Sequence, residues 1–206
     1  MDFDGEGRPT HPAAGIDWMD DLLLDLTSGD DERAERAARR LVEHGEAAIA
    51  ALRPLLVAPQ AETRWWAVRA LAEIPGGWSV PWSIEALTDA DLGVRQCAAL
   101  GLSRQPDEQA VPALVDAMSS DDALLARLAA NALASIGAAA VPALLDLLEN
   151  GPQPVRLEAV RALAMIGDTR TIPALFNALD EDSALLEYWA NEGLERMGVG
   201  MVFFKP

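Results

Sequence analysis

Lysine is nearly absent from this 206-residue chain: Lys205 is the only one, and the other 15 basic residues are arginines. An amine at the extreme C-terminus is poorly placed for Schiff-base chemistry, which needs a desolvated site. Cysteine occurs once, at Cys97, which rules out an internal disulfide framework. Histidine occurs twice, at His11 and His44, too few for a histidine-rich metal site without carboxylates or a second chain. No apolar run approaches the roughly 18 residues of a membrane span. The opening Met1-Asp2-Phe3-Asp4-Gly5-Glu6 is acidic where a signal peptide is basic. A cytoplasmic protein is the expectation. Positive charge is also scarce, with 16 basic against 33 acidic side chains and a formal net charge of −17. Binding a phosphate backbone needs clustered Lys and Arg, so no nucleic-acid partner is expected. The sequence holds no Gly-rich phosphate loop, Cys-x-x-Cys pair or metal-spaced cluster, and neither a cofactor nor a metal is expected.

What the chain does have is a repeat. Leucines at 41, 71, 102, 133, 163 and 194 are spaced by 30 or 31 residues, and each is followed within four residues by Gly or Pro. Four residues before each leucine stands an alanine: Ala37, Ala67, Ala98, Ala129, Ala159 and Ala190. A second series, Val80-Pro81, Val111-Pro112, Val141-Pro142 and Ile172-Pro173, opens amphipathic stretches at the same period. Proline fits the first helical turn, where its missing N–H has no partner to lose. Polar turns such as Thr88-Asp89-Ala90-Asp91 and Ser119-Ser120-Asp121-Asp122 follow and are expected to cap the next helix. Each unit therefore reads as a short A helix, a tight turn, a longer B helix and a Gly/Pro stop. The prediction is an all-α, right-handed α-α superhelix of about six two-helix repeats. Its expected organisation is a flexible acidic tail over 1–15, one solenoid domain over 16–200, and an apolar tail over 201–206 that either folds back over the last repeat, the preferred expectation, or pairs with another subunit.

The pattern Val155-Arg156…Ala159…Ala162-Leu163…Ile166-Gly167 resembles HEAT repeats. The short period and the Val/Ile-Pro start are most similar to the subclass named after phycobilisome lyase subunits. That resemblance implies a solenoid whose B helices line the concave face, and the fold hosts many functions. Deoxyhypusine hydroxylase, a HEAT-type di-iron enzyme, uses several His-Glu pairs, and this chain has no His-Glu dipeptide. HEAT-type DNA glycosylases line that face with basic residues, which the charge disfavours. A bilin lyase-like subunit acting with a partner chain stays open as the enzymatic alternative.

Two columns of outward B-helix positions lie six and two residues before each repeat leucine. The first is Glu35, Trp65, Gln96, Arg127, Leu157 and Tyr188; the second is Arg39, Arg69, Leu100, Asn131, Arg161 and Glu192. Aromatics and arginines carry much of the energy of protein interfaces. The candidate partner-binding set is Trp65, Arg69, Leu100, Arg127, Asn131, Arg161 and Tyr188, a locally basic groove for an acidic helix or loop. The competing expectation is that these arginines pair with Glu and Asp of neighbouring helices and order the stack. The function expected is a non-catalytic scaffold that binds another protein as a monomer, away from membranes. A structural adaptor working through an acidic A-helix surface, with Glu85, Asp116 and Asp146 in equivalent places, is the third expectation.

The remaining residues read as structural. Trp66 and Trp189 are expected nearer the core than Trp65 and Tyr188, because consecutive helical residues point about 100° apart. Cys97 is expected to be a buried filler and His44 a helix C-terminal cation. The resemblance to HEAT repeats implies that Arg64, Arg95 and Arg156 form a structural ladder with turn carboxylates, interrupted at Ala126 and Glu187. Gly76-Gly77-Trp78 interrupts the regular turn and is expected to repack locally.

Overall fold

The Val-Pro and Ile-Pro dipeptides begin helices in the computed structural model, which describes residues 17–199. The expected tails over 1–15 and 201–206, and His11, lie outside the described residues. The helices alternate in length as the repeat requires. The A helices are α1 (Asp17–Leu26), α3 (Gly45–Leu52), α5 (Val80–Ala86), α7 (Val111–Met118), α9 (Val141–Asn150) and α11 (Ile172–Leu179). The B helices are α2 (Asp31–Leu41), α4 (Ala61–Leu71), α6 (Leu92–Arg104), α8 (Ala123–Ile136), α10 (Gln153–Ile166) and α12 (Ala184–Arg196). Among the described residues there is no strand.

Local chemistry sets the helix ends. Asp30, Asp91, Asp122 and Ser183 each accept a hydrogen bond from the backbone N–H three residues on, capping α2, α6, α8 and α12. The turn before α10 departs from this pattern, since Pro152 occupies the cap position and offers no side-chain acceptor. That helix ends at Gly167, whose φ of +66° favours glycine and lets its N–H reach the Leu163 carbonyl.

The described residues form two compact units, the first ending at Ser79 and the second beginning at Val80. In the first, α1 packs on α2, α2 on α4, and α3 on α4. In the second, each A helix packs on the B helix that follows it, while α6, α8, α10 and α12 pack in succession into one layer. Within both units the repeat leucines and their register alanines are at most 1% exposed. The alanines do what a larger side chain could not: they let the facing helix approach.

The buried arc of the fifth B helix is wider than a single 3.6-period stripe. Val155, Ala159, Ala162 and Leu163 are buried as the periodicity predicts, and Val160 and Ala164 join them. A helix touching α8, α9 and α12 is covered on more than one side. Ile166 is half-buried in the last turn.

The turn between the fifth and sixth pairs is pinned by Asp168 and Arg170. Asp168 accepts from the Arg170 backbone N–H at 2.9 Å, and the Arg170 guanidinium donates to both of its carboxylate oxygens. Arg170 also donates to the Ala138 carbonyl at 3.1 Å, tying this turn to the previous one. These bonds favour the ionised carboxyl and hold it at about 2, below the usual range near 4. A depressed folded-state value stabilises the fold fully above pH ~4, and that stabilisation is lost as pH falls through about 2. Asp168→Asn should therefore flatten the fall of Tm between pH 4 and pH 2, read by thermal unfolding at successive pH values. Superimposable profiles for the two proteins would refute this assignment.

Candidate partner-binding surface

The B-helix positions six and two residues before each repeat leucine are all outside the core. In the first unit Trp65 is half-buried on α4, with its ring edge-on to Trp66 at a centroid distance of 4.8 Å, and Trp66 is buried. Arg69, one turn further on, is half-buried. In the second unit Leu100, Arg127 and Tyr188 are exposed, while Asn131 and Arg161 are half-buried. Tyr188 stands edge-on to Trp189 at 5.2 Å, and Trp189 is the less exposed of the two.

The arginines of the columns each have a glutamate partner. Arg39 pairs with Glu35 one turn earlier at 3.1 Å. Arg69 reaches Glu73 in the turn just past α4 at 2.5 Å and Glu35 on α2 at 3.1 Å, linking the two B helices of the first unit. In the second unit Glu158 on α10 receives two guanidiniums: Arg161 at 2.7 Å and, from α8, Arg127 at 3.6 Å. Arg161 also donates to the Arg127 carbonyl at 3.4 Å. The side chain of Arg161 is only 13% exposed, against 64% for Arg127. Arg69 and Arg161 therefore tie adjacent B helices together, and of the two column arginines in the second unit Arg127 is the more open to a partner. Glu35 and Glu158 each pair with arginines of two B helices, and the more exposed guanidinium of each set is Arg39 and Arg127 respectively.

Two exposed leucines were not in the expected set. Leu124 on α8 and Leu185 on α12 are 52% and 58% exposed. Each lies nine residues before its repeat leucine and three before a column residue, Arg127 or Tyr188. Helical neighbours three apart share a face, so extending the columns by one turn finds them.

The arginine ladder differs from its expected form. Arg64 donates to the Ala58 and Pro59 carbonyls, and Arg95 to the Asp89 and Ala90 carbonyls. Arg156 donates to the Leu148 carbonyl at 2.7 Å and also pairs with Glu181. The acceptors are mostly backbone groups rather than turn carboxylates. Carbonyls at and beyond the C-terminal end of an A helix have no intrahelical donor and carry partial negative charge, so a guanidinium from the next helix satisfies them. The turn aspartates are engaged elsewhere: Asp122 caps α8 and accepts from Gln96 at 2.9 Å, and these bonds lower its carboxyl below the ordinary value.

Cys97 is buried on α6. His44 stacks on the Trp18 ring at a centroid distance of 4.0 Å, a contact the sequence did not announce. Trp78 is exposed in the loop that leads to Ser79. Glu85, Asp116 and Asp146 are exposed on α5, α7 and α9, and none of these three helices contains a basic residue. Open grooves in the second unit include one of about 410 Å³, lined by Asp107 and Glu108 and by Ser135 at the end of α8, and one of about 210 Å³ beside Leu87, Ala117 and Leu125. Among the described residues no group of three or more His, Cys, Asp or Glu could hold a metal ion, and no helix is long and apolar enough to cross a membrane.

The model of the family described as HEAT repeats matches residues 77–134 and 113–195, together more than half of the chain. The chain belongs to the HEAT-repeat family. No curated protein sequence matches this HEAT-repeat protein. Among solved structures, an engineered protein is 26% identical, with 88% of this chain and 97% of that one covered and a TM-score of 0.51. The complex of CpcE and CpcF of phycocyanin lyase from Nostoc sp. PCC7120 is 24% identical over 96% of this chain and 81% of that one, with a TM-score of 0.54. Human deoxyhypusine hydroxylase in complex with glycerol is 20% identical over 89% and 74%, with a TM-score of 0.51. For the latter two, likeness at this level is likeness of fold.

Proposed function

We propose that this HEAT-repeat protein is a non-catalytic scaffold that holds a partner protein on its B-helix face. The observation that supports this most directly is the exposure of Leu100, Arg127 and Tyr188 on one packed layer of B helices. Large apolar and aromatic side chains standing out on a helical layer are costly to leave in water and mark interaction surfaces. Trp65 and Arg69 offer the corresponding positions on the first unit, and Asn131 and Arg161 supply polar flanks on the second.

The test places a photo-crosslinking amino acid at position 188, and in a second protein at position 146 on the A-helix side. Crosslinking in the native host to one protein from 188 alone, lost on Arg127→Glu, is the expected result. A crosslink from 146 alone would transfer the function to the acidic A-helix surface and refute the B-helix reading. Tetrapyrrole absorbance co-purifying with the crosslinked partner would favour a bilin lyase-like subunit over a plain scaffold.

A further inference from the structure

We infer that the partner segment received by the second unit is a short, largely apolar stretch carrying one carboxylate, which Arg127 binds. This inference rests on the B-helix reading above and adds the chemistry of the occupant. Leu124, Pro154 and Leu185 occupy equivalent positions on α8, α10 and α12, and Arg127, Leu157 and Tyr188 stand one turn further along. Because α8 packs on α10 and α10 on α12, the two rows lie on adjacent helices of one layer. Leu124, Leu185 and Tyr188 are each more than half exposed, so the rows present apolar surface around a single cation.

The charge count identifies what must meet that cation. Arg127 and Arg161 share the one carboxylate of Glu158, which leaves one positive charge uncompensated. Arg161 is enclosed with Glu158, whereas Arg127 keeps most of its side chain in solvent. A partner that covers the leucines also removes water from Arg127, and burying a guanidinium without a counter-charge is costly. A carboxylate meets that need, since it accepts two parallel N–H bonds from the planar fork. Only one is called for. The whole chain carries a net charge of −17, so a strongly acidic segment is repelled at long range. Packed helices lie about 8–10 Å apart, so α8 to α12 spans roughly 16–20 Å. That distance corresponds to about six extended residues or about twelve helical ones.

The probe is a phage-displayed random dodecapeptide library, selected on the full chain and counter-selected on Leu124→Ser/Leu185→Ser. Both positions are half-exposed or more, and unchanged thermal unfolding confirms that the variant is folded; Tyr188→Ala serves as a second counter-selection. The expected result is enrichment of peptides with two or more large apolar residues and a single Asp or Glu. A synthetic copy should bind at least tenfold more weakly to either counter-selection variant and to Arg127→Ala. Replacing its acid by the amide should cost nothing further against Arg127→Ala. Apolar peptides without an acid, indifferent to Arg127→Ala, would overturn the carboxylate inference and leave the B-helix face as the site. Lys/Arg-rich peptides that bind the serine variant equally well, or no enrichment at all, would overturn both.

Discussion

Leu133→Ala is expected to destabilise the second unit by about 2–5 kcal/mol, the range for emptying a fully buried leucine site in a core that relaxes only partly. Leu133 is 0% exposed on α8, a helix that packs on α6, α7 and α10 at once, so no single neighbour can move in to fill the space. The matched control is Leu124→Ala on the same helix, where the side chain is half exposed and the change should stay within about 0.5 kcal/mol. Urea unfolding followed by circular dichroism measures both. The position in the array adds a second signature. Repeat proteins are held by nearest-neighbour interfaces, and the fourth pair lies between the third pair and the last two. Weakening it should broaden the transition and lower the apparent m-value, because the flanking pairs no longer unfold together. A loss below about 1 kcal/mol with an unchanged m-value would mean that the repeat leucine is not the centre of its pair's core.

That leucine was legible in the sequence, and so was most of the architecture, because the repeating residues are the packing residues. A period of 30–31 with an alanine four positions before each leucine leaves one arrangement in which all six small side chains face another helix. The site was less legible. Column positions could be counted from the leucine, yet counting gives direction only. It does not say whether Arg69 and Arg161 face solvent or a carboxylate, since Glu35 lies 34 residues from Arg69 and Arg127 lies 31 from Glu158. Those separations are themselves close to one repeat. A glutamate about one period away marks an interhelical pair for Arg69 and Arg127, whereas Arg161 meets its glutamate three residues earlier on the same helix. Arg156 meets the turn carboxylate of Glu181 as the ladder expects, and the other two ladder arginines differ for a separate reason. Backbone carbonyls carry no letter in the sequence, so the main-chain acceptors that Arg64 and Arg95 reach could not be read from it.

Gly193→Val is expected to destabilise the same unit by about 1–3 kcal/mol through overpacking, and to move the surface proposed to bind a partner. A Cβ built at Gly193 lies 2.9 Å from Leu175 Cδ1 and 3.0 Å from both the Cα and Cβ of Ala164. The leucine tip can turn aside, but the Ala164 Cα belongs to the backbone of α10 and cannot move alone. The equivalent position before the repeat leucine is Ala70, Gly101, Ala132 and Ala162 in the second to fifth pairs, all buried, whereas the first pair has the exposed Arg40 there. Within the second unit the column stays small because α6, α8, α10 and α12 pack on one another in succession. Valine adds two further methyl groups, so α12 must shift away from α10 or rotate about its axis. Alanine is the informative comparison: it gains about 1 kcal/mol of helix propensity over glycine, which offsets part of its contact strain. The expected order of unfolding midpoints is therefore wild type close to Gly193→Ala, with Gly193→Val well below both. Tyr188 and Leu185 ride on α12, so the valine variant should also bind the selected peptide more weakly, while Leu124 and Arg127 stay where they are. Equal midpoints for glycine and valine would show that α10 and α12 do not approach this closely, and the rows across α8, α10 and α12 would lose their common layer.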